Sequence, residues 1–246
     1  MHTLEEYLLD LKSGLENDNL STQKVAIHAI RDLNDPKAVD PPMAILKDYN
    51  IASYLRNEIT DIIGMFDITP LIKMLYEQNV PYNHKLEIIR TLGTVPTDQR
   101  AIETLVYCLK DLALNPMAAL FLKELGWQSG NNIDYVYFLF GNHRFDEILK
   151  IGDKAVDPLI NLLVSLEKYL DDEQPRYFGL DYSHICELLG KIGDKKAIVP
   201  VSRLLYKEFN VYAPDALVKL GAVSSLLLTH NSEITSQAQI VLKRTN

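Results

Sequence analysis

Cysteine is nearly missing from this sequence: only Cys108 and Cys186 occur in 246 residues, in separate apolar stretches. A disulfide framework is thereby excluded, and buried free thiols in a cytoplasmic protein are the expectation. Tryptophan occurs once, as Trp127. No apolar run reaches the roughly 18 residues that a membrane-spanning helix needs, because Lys, Asp or Asn interrupts each candidate. No membrane contact is therefore expected. The first residues hold Glu5, Glu6 and Asp10 where a secretory signal would be basic. Positive charge is also short, with 25 Lys and Arg against 33 Asp and Glu, a net charge of -8. Nucleic-acid binding needs cations that displace counterions along phosphates, so this balance argues against it.

Catalytic signatures are absent too. The sequence contains no glycine-rich phosphate loop, no nucleophile elbow and no His-Glu-x-x-His string. The six histidines are scattered. His184 precedes Cys186 and Glu187 closely, but no further ligands follow at zinc spacing. His143 and Arg144 with Asp146 and Glu147 combine acid, base and cation, yet they fall where a repeat turn needs polar groups. Neither a metal nor a cofactor is expected.

What is present is repetition. Ala38-Val39-Asp40-Pro41 returns as Ala155-Val156-Asp157-Pro158, and more loosely as Ala197-Ile198-Val199-Pro200. Upstream, Ile151-Gly152-Asp153-Lys154 answers Ile192-Gly193-Asp194-Lys195, a spacing of about 40 residues that is typical of helical repeats. A composition with 47% hydrophobic and 24% charged residues is that of a folded globular chain. The 246 residues could form two small domains or one array, and the repeats favour a single repeat domain over 1–246.

The chain reads as paired helices. Thr3 is placed to cap a first helix that Gly14 ends, and Ser21 or Thr22 to cap a second. Asn34-Asp35-Pro36 makes the following turn, with Pro41 and Pro42 in the first turns of the next helix. Helices are then expected over 51–65, from Asp67-Ile68-Thr69-Pro70 to Tyr76, over 83–92, from Thr97-Asp98 to Leu109, and from Asn115-Pro116 to Gly126. Two segments break the rhythm. Near 127–150 stands the aromatic run Tyr135 to Phe140, for which helical neighbours favour helix over strand. Near 171–181 a charged loop carries Arg176, Tyr177 and Phe178. A polar helix over about 233–243 suits a terminal cap.

At the repeated phrases the chain resembles HEAT-repeat proteins, specifically the short type first associated with phycobilin lyases. That type has Leu-Gly-x-Ile-Gly-Asp-x-x-Ala-Ile-x-Pro-Leu at the helix junction, and Leu189 to Val201 is similar to it nearly throughout. Residues 145–163 follow a related variant, whereas Asn34-Asp35-Pro36 departs from Ile-Gly-Asp and Thr104 stands in place of Pro. The resemblance implies an all-α fold, a right-handed α-α superhelix or HEAT-like solenoid of about six helix pairs. It also implies that the second helix of each pair lines a concave face. Every residue of the motif is structural: Gly for the left-handed turn, Asp for the cap, Ala for close approach.

The function expected is therefore that of a protein-interaction module or adaptor, in one form an inhibitor or immunity-type binder of a basic partner. Tyr76 and Tyr206 both fall six residues after a repeat proline, and Tyr49, Tyr107 and Tyr169 lie on corresponding helices. Tyrosine gives large contact area with few torsions to freeze. The binding candidates are Tyr76, Tyr107, Tyr169 and Tyr206, with Arg176, Tyr177 and Phe178 on the loop. The alternative is a HEAT-like enzyme, a DNA glycosylase or a bilin lyase. It requires converging carboxylates beneath a positive rim, for which Lys191, Lys195, Lys196, Arg203 and Lys207 are the available cations.

Overall fold

A capping side chain or an early proline marks several of the helix starts in the computed structural model, which describes residues 3–48, 51–77, 79–95, 97–130, 132–165, 179–206 and 212–222. All regular structure among the described residues is helical. None of these helices is long and apolar enough to cross a membrane. The chain packs as two compact units, Met1–Leu105 and Val106–Asn246.

In the first unit, α1 (Leu4–Glu16) opens with a capping box. The Glu6 amide donates to Thr3 Oγ1 at 3.3 Å and the Thr3 amide to Glu6 Oε2 at 2.6 Å. Gly14 does not end this helix but lies inside it, buried where α1 meets α2 (Leu20–Leu33). A Cβ there would stand 3.0 Å from the Gln23 backbone nitrogen, and the side-chain Nε2 of Gln23 donates to the Gly14 carbonyl at 2.9 Å. Close helix approach is thus the reason for the glycine. The cap of α2 is Asn19, two residues before Ser21 and three before Thr22, because its Oδ1 accepts the Thr22 amide at 3.1 Å.

Next come α3 (Asp40–Leu46), α4 (Ser53–Phe66), α5 (Thr69–Tyr76) and α6 (Tyr82–Gly93), and α7 (Gln99–Cys108) then runs across the unit boundary. Helix α4 packs against α2 on one side and α6 on the other, while α3 and α5 pack on α4, and α5 also on α6. Leu55, Ile59, Ile62 and Ile63 give α4 a fully buried stripe at helical spacing. Ion pairs tie the neighbours across the same seams. Arg31 of α2 meets Glu58 of α4 at 3.0 Å; Arg56 and Asp61 of α4 meet Glu87 and Arg90 of α6, each at 2.9 Å.

The second unit contains α8 (Asn115–Glu124), α9 (Asn132–Gly141), α10 (Phe145–Ile151), α11 (Val156–Ser165), α12 (Gly179–Ile192), α13 (Ile198–Arg203) and α14 (Ala213–Lys219). The aromatic run is helical, and Val136 to Phe140 are all buried. A helix apolar on every side must be covered on every side; α8, α10 and α11 all pack on α9. Residues 179–181, expected in the irregular loop, already belong to α12.

The junctions at Asp35, Asp98 and Asp194 share one geometry, whereas the copy at Gly152–Ala155 opens without a side-chain cap bond. Asp35, Asp98 and Asp194 each accept, at 2.9 Å, the backbone amide two residues on. Three residues after each stands a fully buried alanine, Ala38, Ala101 or Ala197. Asp67 makes the same bond to the Thr69 amide at 2.9 Å. Gly152 and Gly193 hold left-handed backbone, at φ 66° and 82°, ahead of their turns, which a side chain would strain.

Candidate binding clefts

The repeat junctions consume much of the polar chemistry of the first unit. Arg100 bonds to Asp98 at 2.7 Å, to Thr69 Oγ1 at 2.7 Å and to Asp67 at 3.4 Å, joining consecutive turns. These contacts hold the Asp98 and Asp67 carboxyls below the usual range, Asp98 chiefly through Arg100 and Asp67 chiefly through the Thr69 hydroxyl. His84 is buried on α6, and burial, helped by the nearby Arg56 cation, pushes its pKa down to about 4. Such a histidine is neutral at physiological pH.

One groove in this unit combines apolar floor and acidic edge. Leu15, Leu20, Ile45 and Ile51 line a space of about 380 Å³ together with Asp18, Asp48 and Gln23. Leu20 remains half exposed at 51%. Asp18 sits in the left-handed region at φ 49° just after α1. The Tyr54 hydroxyl donates to Gln23 Oε1 beneath the groove, and burial, with the charge of Asp18, raises the Tyr54 pKa.

The second unit has a larger cleft, of about 590 Å³, lined by Lys123, Gly126, Trp127, Gln128, Ser129, Gly130, Tyr135, Phe138 and Arg144. Phe138 is 7% exposed and forms its floor, while Trp127 and Tyr135 are half buried. The Trp127 and Phe138 rings lie 5.4 Å apart, and Tyr135 stacks on Phe138 at 6.4 Å with an interplanar angle of 17°. Arg144 is clamped by Glu147 through two bonds of 2.6 and 2.7 Å, and it also meets the Tyr135 hydroxyl. Lys123 is exposed.

The alternative enzyme expectation required carboxylates and cations converging in one space. Among the described residues, the lining of the large cleft has cations without a carboxylate, and that of the groove has carboxylates without a cation. Two smaller clefts, each of about 300 Å³, do hold both, Asp67 and Asp98 with Arg100 in one and Asp61 with Arg90 in the other, and there the cation is bonded to the carboxylates beside it. Lys191 pairs with Glu187 at 2.6 Å and Lys196 with Asp157 at 3.6 Å, and Lys195 and Arg203 are exposed. Lys207 lies outside the described residues. Cys108 and Cys186 are buried and form no disulfide, and burial pushes the Cys186 thiol up to about 12. No group of three or more potential metal ligands occurs among the described residues. His184 stacks on Phe145 at 4.5 Å, with His143 edge-on to Phe145 at 5.7 Å.

No protein-family model and no curated protein matches this chain.

Of the tyrosines singled out in the sequence, Tyr76 is 49% and Tyr107 54% exposed, each near the end of its helix. Tyr206 closes a 3-10 turn, Leu204–Tyr206, but its side chain is outside the described set. Tyr49, Tyr169, Arg176, Tyr177 and Phe178 also lie outside the described residues. Neither cleft was legible as a site. Trp127 and Tyr135 stand in the segment where the repeat rhythm breaks, which was the available signal. Nothing in the one-dimensional pattern placed Asp18 and Asp48 on the same groove.

Proposed function

We propose that the chain is a protein-interaction module whose helix pairs stack, within each unit, as HEAT-like solenoid repeats, and that its partner presents a basic surface. The repeated junction geometry supports the stacking: the same Asp cap and buried Ala recur at Asp35, Asp98 and Asp194. Ion pairs joining α2 to α4 and α4 to α6 would keep such a face in one shape, so that little entropy is lost on binding.

The observation that carries the partner's chemistry is the acid-edged groove of the first unit. A lysine or arginine could lay its alkyl stem on Leu15, Leu20, Ile45 and Ile51 and bring its charge to Asp18 and Asp48. Exposed rings at Tyr76 and Tyr107 add contact area of the kind that anchors interfaces.

The test is capture from native lysate at low and moderate salt, with the wild-type chain and an Asp18→Lys/Asp48→Lys variant side by side. One partner recovered at near-equal amounts by the wild type, and lost from the variant, is the expected result. Undiminished capture by the variant would sink the reading, and recovery of nucleic acid or a pigment would redirect it to the alternative enzyme class.

A further inference from the structure

We infer that the cleft of the second unit is a small-molecule site for a flat aromatic anion: a planar ring bearing a carboxylate or phosphate. Its volume of about 590 Å³ lies within the range of ligand pockets, roughly 300–1,000 Å³. The walls offer π-faces rather than aliphatic surface. Phe138 supplies a buried floor, and Tyr135 and Trp127 rise beside it, half exposed. Aromatic rings bind other rings with a geometric preference that aliphatic side chains lack.

The charge in the cleft is positive, opposite in sign to the chain as a whole. Lys123, in the last turn of α8, is exposed and has no ion-pair partner among the described residues. Arg144 is fixed in direction by its two bonds to Glu147, at 2.6 and 2.7 Å, so its guanidinium is held in place before any ligand arrives. Glu147 offsets that second charge, which leaves Lys123 to contribute most of the net attraction. A ring against Trp127 and Tyr135 with its anionic group toward Lys123 satisfies both features. A neutral ring would use only the walls, and a bare anion only the cation.

Trp127 is the chain's single tryptophan, so its emission reports on this cleft without background from another indole. The full chain would be titrated with 4-hydroxybenzoate in one arm and uridine 5′-monophosphate in the other. Phenol and uridine serve as uncharged rings, acetate and inorganic phosphate as ringless anions. Saturable quenching by a ring-bearing anion, half-complete below about 1 mM, is expected, and the arm that responds distinguishes carboxylate from nucleotide. Lys123→Glu should weaken that binding at least about tenfold and Tyr135→Ala about fivefold, with helical circular dichroism unchanged. No saturable response to either compound, equal response to the uncharged rings, or full affinity in Lys123→Glu would each overturn the inference. This cleft belongs to Val106–Asn246 and the acid-edged groove to Met1–Leu105, so failure here leaves the proposed protein partner standing.

Discussion

Gly141 closes α9 with no room for a methyl group. A Cβ there would stand 2.5 Å from both Ala119 Cβ and Asn115 Oδ1, and 2.9 Å from the Asn115 carbonyl. Asn115 cannot yield, because it is fully buried and its Nδ2 donates to the Leu109 carbonyl at 2.7 Å and the Tyr137 carbonyl at 2.8 Å. Gly141→Ala should therefore destabilise the fold by about 1–3 kcal/mol in urea unfolding. Gly130→Ala, where a Cβ meets nothing within 4 Å, should change stability by no more than about 0.5 kcal/mol. His84 supplies a pH dependence at the same scale. Its folded pKa near 4 lies below the unfolded value of 6.5, so between these values the unfolded chain binds the extra proton. Stability should be level above pH 6.5 and fall as the pH drops toward 4. The carboxylates with lowered pKa, Asp67, Asp98 and Glu187, lose their contribution only as the pH falls to their unfolded values and below. Denaturant unfolding at pH 7 and pH 5 isolates the histidine. His84→Leu should shrink the difference between the two pH values, and an unchanged difference would assign it elsewhere. The sequence marks Gly14 as a helix end and places Gly141 after the aromatic run. It could not show that neighbouring backbone or side chains, rather than a left-handed turn, exclude a Cβ, since that requires knowing which helices touch.

Helix starts were readable because their causes are local. An Asp that bonds an amide two residues on needs no tertiary partner, so Asp194 could be located from the repeated phrase, Asp35 from its Asn-Asp-Pro turn and Asp98 as a helix cap. Asp194→Ala should cost about 1 kcal/mol, visible as a lowered thermal midpoint, whereas Asp194→Asn, whose Oδ1 can still accept the Lys196 amide, should lose little stability. If Ala and Asn behave alike and lower nothing, the cap is not holding the turn. Contacts between elements were not readable in this way. Arg31 with Glu58, Arg56 with Glu87 and Asp61 with Arg90 are separated by 27 to 31 residues, and a charge pattern offers many equivalent pairings at that distance. The Arg56–Glu87 pair is the deepest of those tying α4 to its neighbours, its side chains only 11% and 14% exposed. Glu87→Ala leaves a covered guanidinium without its carboxylate and should cost about 3 kcal/mol. The exposed pair Lys12–Glu16, 72% and 65% accessible, provides the contrast: Glu16→Ala should be close to neutral.

Across the whole molecule, charge is the property most evenly divided between what a sequence discloses and what it conceals. The first unit carries sixteen acidic residues against ten basic ones, so it holds most of the net charge of -8. That imbalance can be counted without coordinates. Its focus cannot, because Asp18 and Asp48 lie 30 positions apart and meet only through the groove they share. A field concentrated over an apolar floor acts on encounter more than on residence, since a basic partner is attracted over about one Debye length, about 8 Å at physiological salt. Association with the captured partner should therefore slow by about tenfold in Asp18→Lys/Asp48→Lys at low salt, while dissociation changes less. Asp153→Lys alters net charge by as much as either single reversal but lies on an exposed turn of the second unit. It should leave the association rate within about twofold. Stopped-flow association at two ionic strengths separates the two accounts. If Asp153→Lys slows encounter as much as Asp18→Lys alone, bulk charge drives recruitment and the groove has no special part. If only the groove variants respond, and their deficit narrows as salt rises, the attraction originates at Asp18 and Asp48.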